Sequence, residues 1–311
     1  MTETVLAKKI DFAPITLADK PLYDSYRSDN TRRGCEFSFA NLYLWGRQKF
    51  AVAHGHVILF SQFDRRSVYP YPLGNGNKKA VLDAIIADSR ARGIPCRITG
   101  LDAAARQTVE ELYPNKFHFH SDQGSFDYVY SIDDLADLKG KKYHAKRNHL
   151  NRFLETYPNY FTEPLSESNT ELVRQMANDW YSEKLAENPN SDFLMEQSAL
   201  EKAFRHYREL GMEGLVLRDG ETVLAFALGS PMTDDTFDVN FEKARANAGG
   251  AYPAINREFA RYIREKHPNI RFLDREEDMG LEGLRKAKQS YYPHHMIEKF
   301  WCCLLEEDYD Y

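Results

Sequence analysis

The chain has 311 residues, with 41 Lys and Arg against 47 Asp and Glu, and a formal net charge of −6. Hydrophobic residues make up 42% of the chain and charged residues 28%, which is typical of a globular protein and excludes a disordered one. The mild acidity excludes nucleic-acid binding over the whole surface but allows a local basic patch. The length suits two ordinary domains or one large one.

Five successive elements are predicted in the first half. They are a hairpin at Phe50–Phe60 that turns at His54-Gly55, a strand at Val68–Pro70, a glycine loop at Leu73–Asn77, a helix with Val81, Leu82, Ile85 and Ile86 on one face, and a strand at Cys96–Thr99. Apolar runs around a turn dipeptide favour a hairpin, and apolar residues three and four apart favour an amphipathic helix.

The second half repeats this order. Its elements are a hairpin at Gly214–Leu228 that turns at Asp219-Gly220, a strand at Thr236–Phe241, a loop with Gly249-Gly250, a helix with Tyr252, Ile255, Phe259 and Tyr262 on one face, and a strand at Ile270–Leu273. The shared order predicts a duplicated α/β (α+β) fold, which we divide into residues 1–140 and 141–311.

Three further helices are predicted between the two copies. They lie at Tyr143–Thr156, after a capping box at Ser168–Glu171 with Leu172, Met176 and Trp180 on one face, and around Leu200, Phe204 and Tyr207.

The four cysteines are Cys35, Cys96, Cys302 and Cys303, and they form no CxxC pair. We therefore expect free, mostly buried thiols, no metal site and a reducing, cytoplasmic location. The longest apolar stretches, such as Leu224–Leu228, are far too short to span a bilayer.

The glycine loop of the second copy, Phe241–Pro253, follows a strand and opens a helix. Glycines let a ligand approach the backbone, and free N–H groups at a helix start favour an anion. The layout resembles the acyl-donor loop of the GCN5-related N-acetyltransferase (GNAT) superfamily, which cradles the pyrophosphate of coenzyme A. Arg245 lies one residue too far from Gly249 for that pattern, so a plain strand-to-helix connection is the alternative.

Two charged segments are further candidates. In Lys139–Arg152, six of fourteen residues are Lys or Arg, which suits either a phosphate-rich ligand or a solvated helix face. In Asp274–Gly280, a carboxylate cluster follows a strand, where α/β sites tend to form. One of these acids could deprotonate an attacking amine, or the acids could pair with Arg275, Arg285 and Lys288 in a turn.

Three blocks of the sequence resemble the phosphatidylglycerol lysyltransferase C-terminal domain family. They are Glu36–Trp45, Gly140–Phe153 and Asp274–Pro293, in the order found in that family. The resemblance implies two tandem acyl-CoA N-acyltransferase-like (GNAT) domains, each a mixed, mostly antiparallel sheet flanked by helices. Family members of known activity move an aminoacyl group from charged tRNA to the glycerol hydroxyl of phosphatidylglycerol, and many soluble members have no assigned activity.

The resemblance and the charge pattern together imply roles in an acyl or aminoacyl transfer in the second domain. The implied ligands of the donor phosphates are Lys141, Lys142, Lys146, Arg147, Arg285 and Lys288. The implied lining of the donor channel is Arg245, Asn247, Gly249 and Gly250. Glu242, Glu277 or Asp278 would be the general base, with Tyr252 or Tyr291 as proton donor.

The implied donor is charged tRNA or acyl-CoA, the acceptor is an amine or hydroxyl, and no tightly bound cofactor is expected. Apart from Arg65 and Arg66, no basic residue precedes the glycines of the loop Leu73–Asn77, so we expect the first copy to lack a working cleft. The alternative function is a non-catalytic binding or sensing module of the same fold.

Overall fold

The computed structural model describes residues 9–27, 34–63, 66–189 and 193–305. These residues divide into two compact units, each built on a seven-stranded sheet. The first unit contains the described residues up to Phe126 and those from Ile297 onward, and the second contains Asp127–Met296.

The sheet of the first unit has the strand order β1-β2-β3-β4-β5-β14-β6. Its strands are β1 (Ala13–Pro14), β2 (Gln48–Ala53), β3 (His56–Phe63), β4 (Arg66–Pro70), β5 (Arg97–Leu101), β6 (Phe117–Ser121) and β14 (Phe300–Leu304). Its helices are α1 (Lys20–Tyr26), α2 (Phe39–Trp45), α3 (Lys78–Arg92) and α4 (Ala103–Leu112).

The sheet of the second unit has the strand order β13-β7-β12-β11-β10-β9-β8. Its strands are β7 (Asp127–Ser131), β8 (Phe161–Pro164), β9 (Glu213–Asp219), β10 (Thr222–Pro231), β11 (Thr236–Ala244), β12 (Phe272–Asp274) and β13 (His295–Ile297). Its helices are α5 (Ile132–Asp137), α6 (His144–Thr156), α7 (Thr170–Glu187), α8 (Phe193–His206), α9 (Ala251–Lys266) and α10 (Glu282–Gln289).

The predicted duplication is confirmed by the strand pairing. In the first unit the hairpin β2–β3 is followed by β4, the glycine loop, α3 and β5, and β4 pairs with β5 in parallel. In the second unit β9–β10 is followed by β11, a glycine loop, α9 and β12, and β11 pairs with β12 in parallel. A parallel pair needs a crossover, and α3 and α9 supply it. The fold is the predicted mixed α/β class, with two seven-stranded mixed sheets flanked by helices.

Local sequence explains the bounds of the crossover helices. Asn77 caps α3 by accepting a hydrogen bond from the Ala80 N–H, and Gly93 ends the helix in the left-handed region. The predicted apolar face of α3 is buried as expected. On α9 the buried face includes Ile255 and Phe259, whereas Tyr252 is 40% exposed. The face predicted for α9 was therefore only partly right.

The predicted division between residues 140 and 141 differs from the structure in two ways. The strand β7 pairs with β12 and so belongs to the second unit, which begins at Asp127. The strand β14 pairs with β5 and β6 and so returns the chain to the first unit. Both differences come from pairings between strands that are distant in the sequence.

Two smaller predictions for α7 were wrong in detail. The helix is preceded by Asn169 as N-cap and has no side-chain cap hydrogen bond, so the capping box at Ser168 does not form. Its buried face carries Val173, Met176 and Tyr181, while Leu172 is exposed. The four cysteines are buried thiols, as predicted. Within the described ranges, no helix combines the length and apolarity that crossing a bilayer requires.

Candidate functional site

The parallel strands β11 and β12 diverge after three residue pairs. Thr236–Asp238 pair with Phe272–Asp274, and β11 then continues to Ala244 without β12 alongside. Side chains that point into this opening from β11, from the segment after β12, from α6 and from α9 form the candidate site. Diverging strands create a cleft at the carboxyl end of a sheet, where α/β sites tend to lie.

An ion pair spans the opening. The Arg275 guanidinium donates to Glu242 Oε1 over 2.9 Å, and the Asn256 amide donates to Glu242 Oε2 over 3.1 Å. Asn256 is 3% exposed, and its Oδ1 has no hydrogen-bond partner among the described residues. Both carboxylate oxygens of Glu242 are thus held by donors, while an acceptor remains available on Asn256.

Lys146 of α6 completes this cluster. Its Nζ lies 3.7 Å from the ring centroid of Tyr291 and donates to Ser290 Oγ over 2.6 Å. Burial first, and then the nearby Arg275, lower the pKa of Lys146 to about 8, while the Glu242 carboxylate acts in the opposite direction. A lysine with this pKa is partly neutral near pH 8 and can accept a proton. We call Lys146, Glu242, Asn256, Arg275 and Tyr291 the cleft cluster.

The two predicted proton donors both lie at or beside this cluster. Burial raises the pKa of Tyr291 above its usual range, so its hydroxyl stays protonated. Burial, and secondarily the Glu242 carboxylate, raise the pKa of Tyr252 to about 12. The Tyr252 hydroxyl also meets the Ala244 backbone and the Trp180 side chain. Either phenol is therefore a proton source and not a base at neutral pH.

The glycine loop before α9 is partly covered. Gly250 has φ +82°, and a Cβ there would lie 2.6 Å from the His149 carbonyl oxygen of α6. Gly249 has open space around its Cβ position. Close packing against α6 therefore requires a glycine at position 250, whereas Gly249 leaves the backbone accessible.

Arg245 and Asn247 line a shallow depression next to this loop. The depression is also lined by Met176, Asp179, Trp180 and Glu183 of α7. Arg245 donates to the Val223 carbonyl oxygen and pairs with Asp179 at 3.3 Å. This guanidinium is thus held by the protein, and the carboxylates of Asp179 and Glu183 line the same depression.

The acidic cluster after β12 is largely a structural turn. Asp278 is fully buried, pairs with Arg285 at 2.7 Å and accepts from the Tyr128 hydroxyl at 2.6 Å. The Arg285 guanidinium holds the pKa of Asp278 at about 2, which makes it a poor base. Lys288 is 7% exposed and donates to the Arg275 and Glu276 carbonyl oxygens, so it has little access to a ligand. Glu277 is half-buried.

The other predicted phosphate ligands do not reach the cleft cluster. Lys142 pairs with Asp134 at 2.9 Å, and Arg147 donates to the Leu138 and Gly140 carbonyl oxygens. Lys141 is exposed before α6. The structure therefore brings together Glu242, Lys146, Tyr252 and Tyr291 from the predicted set. These remain candidates, with Lys146 in a central position that we had not predicted.

Sequence reasoning gave no role in the site to Asn256, Ser290 or Trp180. A signal for Lys146 was available, because it precedes the buried Leu150 by four residues and Phe153 by seven. That spacing places a lysine on the core-facing stripe of α6.

Comparison with known proteins identifies the family of the chain and supports a general class of activity. The model of the family described as "Phosphatidylglycerol lysyltransferase, C-terminal" matches residues 27–303. The chain belongs to this family, which confirms the resemblance seen in the sequence. Family and fold together support the acyltransferase class in general.

Two solved structures show the same fold along nearly the whole chain. A conserved protein of unknown function from Bacteroides thetaiotaomicron is 36% identical, with a TM-score of 0.89 over 95% of this chain and 100% of that one. L-PGS from Bacillus licheniformis is 14% identical, with a TM-score of 0.69 over 97% of this chain and 95% of that one.

An uncharacterised protein from Mycoplasmoides gallisepticum is 22% identical over 179 residues, which is 57% of this chain. The matched part spans 56% of that protein, little more than half of its length.

Proposed function

We propose that the second unit transfers an aminoacyl group from an activated ester to an amine or hydroxyl acceptor at the cleft cluster. The observation that carries this proposal is the convergence of Lys146, Glu242, Arg275 and Tyr291 where β11 and β12 diverge. Aminoacyl transfer needs the reactants held together, one proton accepted and negative charge stabilised on the carbonyl oxygen.

Lys146 is the proposed proton acceptor. Its pKa of about 8 leaves part of the amine neutral near pH 8, and no carboxylate among the described residues lies within ion-pair distance of its Nζ. The buried Asp278, held near a pKa of 2, cannot take this role. Glu242 has both oxygens engaged by donors, so we assign it the positioning of Arg275 and Asn256.

Arg275 is the proposed stabiliser of the developing oxyanion. It lies 5.2 Å from the Tyr291 ring centroid and carries a fixed positive charge beside the partly neutral Lys146. A preorganised cation in a half-buried site stabilises an oxyanion more than it would in water. Tyr291 stays protonated and can return a proton to the leaving oxygen.

Charged tRNA is the donor that the geometry favours over acyl-CoA. A coenzyme A diphosphate would need the glycine loop, but α6 covers Gly250, and Asp179 holds Arg245 beside it. Within Lys139–Arg152, the exposed Lys141 and Arg152 offer a separate surface for a nucleic-acid backbone. The lysyl donor and the phosphatidylglycerol acceptor named by the family are the first substrates to try.

The test uses hydroxylamine as a surrogate acceptor, because it attacks activated esters and thioesters without a specific binding site. Aminoacyl-tRNA and acetyl-coenzyme A are each incubated with the full chain, and hydroxamate formation is measured above the uncatalysed rate. We expect acceleration with aminoacyl-tRNA that Lys146→Met removes and Lys142→Met preserves. Acceleration with acetyl-coenzyme A alone would reverse the donor assignment.

The absence of acceleration with both donors would contradict the proposal. Saturable tRNA binding without turnover would then favour the binding-module alternative. Tight binding should weaken as salt is raised, since phosphate contacts release counterions.

A further inference from the structure

Lys146 is a lysine of the second unit whose surroundings favour a reactive neutral amine. Its Nζ is half-buried over the Tyr291 ring, and its polar partner in the described residues is Ser290 Oγ at 2.6 Å. Ser290 donates its own proton to the Ala287 carbonyl oxygen at 2.6 Å. Its hydroxyl therefore only accepts from Lys146, and the nitrogen lone pair of the neutral amine is left unused.

Lys142 of the same basic segment has a contrasting environment. Its Nζ also lies near two tyrosine rings, 4.9 Å from Tyr143 and 5.8 Å from Tyr292. However, it is exposed and pairs with the Asp134 carboxylate at 2.9 Å. Lys142 is therefore a matched lysine that has aromatic contacts but is exposed and engaged by a carboxylate.

We propose that Lys146 is itself an acyl-modification site, which takes the acyl group from an activated ester or thioester when no acceptor occupies the cleft. The neutral Nζ attacks the carbonyl carbon, a C–N bond forms, and the C–O or C–S bond to the donor breaks. The proton lost by the nitrogen goes to the departing alkoxide or thiolate. The products are an amide on Lys146 and the free alcohol or thiol.

Acylation of Lys146 would abolish the transfer activity of the site. An amide nitrogen has no basic lone pair and no positive charge, so it can neither accept the acceptor's proton nor contact Ser290 as an ammonium. The amide is also chemically stable, unlike the ester or thioester from which it forms. The modification rests on the proposed function for its natural donor, but the reactivity of the lysine can be measured without that donor.

The experiment treats the full chain with S-acetyl-N-acetylcysteamine, a small thioester that needs no nucleotide or tRNA site. Peptide mass spectrometry then follows acetylation at Lys146 and Lys142 with time, at about pH 7 and about pH 9. We expect Lys146 to react about tenfold faster than the exposed, ion-paired Lys142 at the lower pH, because burial lowers the pKa of Lys146 and leaves part of its amine neutral, although a weaker base is a weaker nucleophile. The ratio of the Lys146 acetylation rate to the Lys142 rate should decrease toward one as the pH rises.

The outcomes separate this inference from the proposed function. Equal rates at the two lysines, or faster reaction at Lys142, would overturn the modification site whatever the hydroxylamine assay shows. Preferential reaction at Lys146 in a chain that transfers nothing to hydroxylamine would support the site and contradict the transferase. A Lys146→Arg chain should lose the acetylated peptide and keep the Lys142 rate, which controls for altered folding.

Discussion

The two units use glycines in the same loop for different purposes. In the first unit, a Cβ at Gly74 would lie 2.4 Å from the Gly55 carbonyl oxygen, and one at Gly76 would lie 2.0 Å from the His54 carbonyl oxygen. The turn of the β2–β3 hairpin therefore packs directly onto the loop. In the second unit, the space around the Cβ position of Gly249 is open.

A lysine beside each loop sharpens this difference. Lys78 donates to the Gly74 carbonyl oxygen and lies 3.0 Å from the His56 ring nitrogen, so it ties the first loop to the hairpin. Lys146 in the second unit contacts a hydroxyl and a ring face within the cleft cluster. One topology thus supports a sealed loop and an open cleft, which gives a physical reason to expect that the first unit lacks a working site.

The same comparison shows a feature that the units share. Asp88 is fully buried and accepts from the Tyr69 hydroxyl at 2.7 Å and from Arg92 at 2.8 Å. Asp278 is fully buried and accepts from the Tyr128 hydroxyl at 2.6 Å and from Arg285 at 2.7 Å. A buried carboxylate with both partners stabilises its surroundings, which is a role independent of catalysis.

The largest expected effect is on the transfer rate, and it distinguishes Lys146 in the second unit from Lys78 in the first. Lys146→Met should reduce transfer to hydroxylamine by about a hundredfold or more, because the proton acceptor is lost. Lys78→Met should leave the turnover number unchanged within about twofold, since its loop is sealed. Single-turnover rates with aminoacyl-tRNA measure both. A comparable loss in the two variants would show that the first unit also takes part.

The second effect is on stability and separates the glycines. Gly76→Ala should lower the free energy of unfolding by about 3 kcal/mol, because the new Cβ overlaps backbone atoms that cannot move separately. Gly249→Ala should change it by less than about 0.5 kcal/mol. Urea unfolding followed by circular dichroism measures the difference. Equal values would contradict the distinction between a sealed and an open loop.

The third effect should be alike in the two units. Asp88→Asn and Asp278→Asn should each lower the free energy of unfolding by roughly 2 kcal/mol, as a charged hydrogen-bonded partner is lost. The folded pKa of Asp278, about 2, lies below the ordinary 3.8, so its contribution is present above about pH 4 and disappears as the pH falls toward 2. Acid titration of the unmodified chain and of Asp278→Asn checks this. A large loss of turnover in Asp278→Asn with unchanged stability would instead make it a catalytic acid or base.

The smallest expected effect is on the pH profile. If Lys146 must be neutral, the transfer rate should rise about tenfold between pH 7 and pH 9, because the pKa of about 8 is crossed. The Lys78→Met chain should show the same profile. A rate that is flat across this range would exclude Lys146 as proton acceptor while leaving a role for its charge.

Much of the fold could be predicted because it is encoded locally. The hairpins, crossover helices and glycine loops all lie within short segments whose periodicity and turn residues are visible. The sequence could not predict which unit contains β7 and which contains β14. Each assignment depends on pairing with a strand more than a hundred residues away, β12 for β7 and β5 for β14. Neither alternation nor turn chemistry carries that information.

The site was predictable in composition more than in arrangement. Glu242, Tyr252 and Tyr291 were chosen from the loop and the family resemblance, and they do lie in or beside the cleft cluster. The charge pattern of Lys139–Arg152 does not distinguish its six cations from one another. In the structure, the packing of Leu150 and Phe153 turns Lys146 alone of these six toward the cleft. The engagement of Arg245 by Asp179 also depends on α7, which is distant in the sequence.

The strand β14 has a consequence for how the protein is made. It lies between β5 and β6 in the first sheet, yet it is encoded after the whole of the second unit. A ribosome must therefore complete the second unit and reach Phe300–Leu304 before the first sheet can close, although the neighbouring strands β5 and β6 were synthesised earlier. Until then, β5 and β6 lack the strand between them, and a fragment ending at Phe126 would keep that gap permanently. The first unit is begun first and completed last.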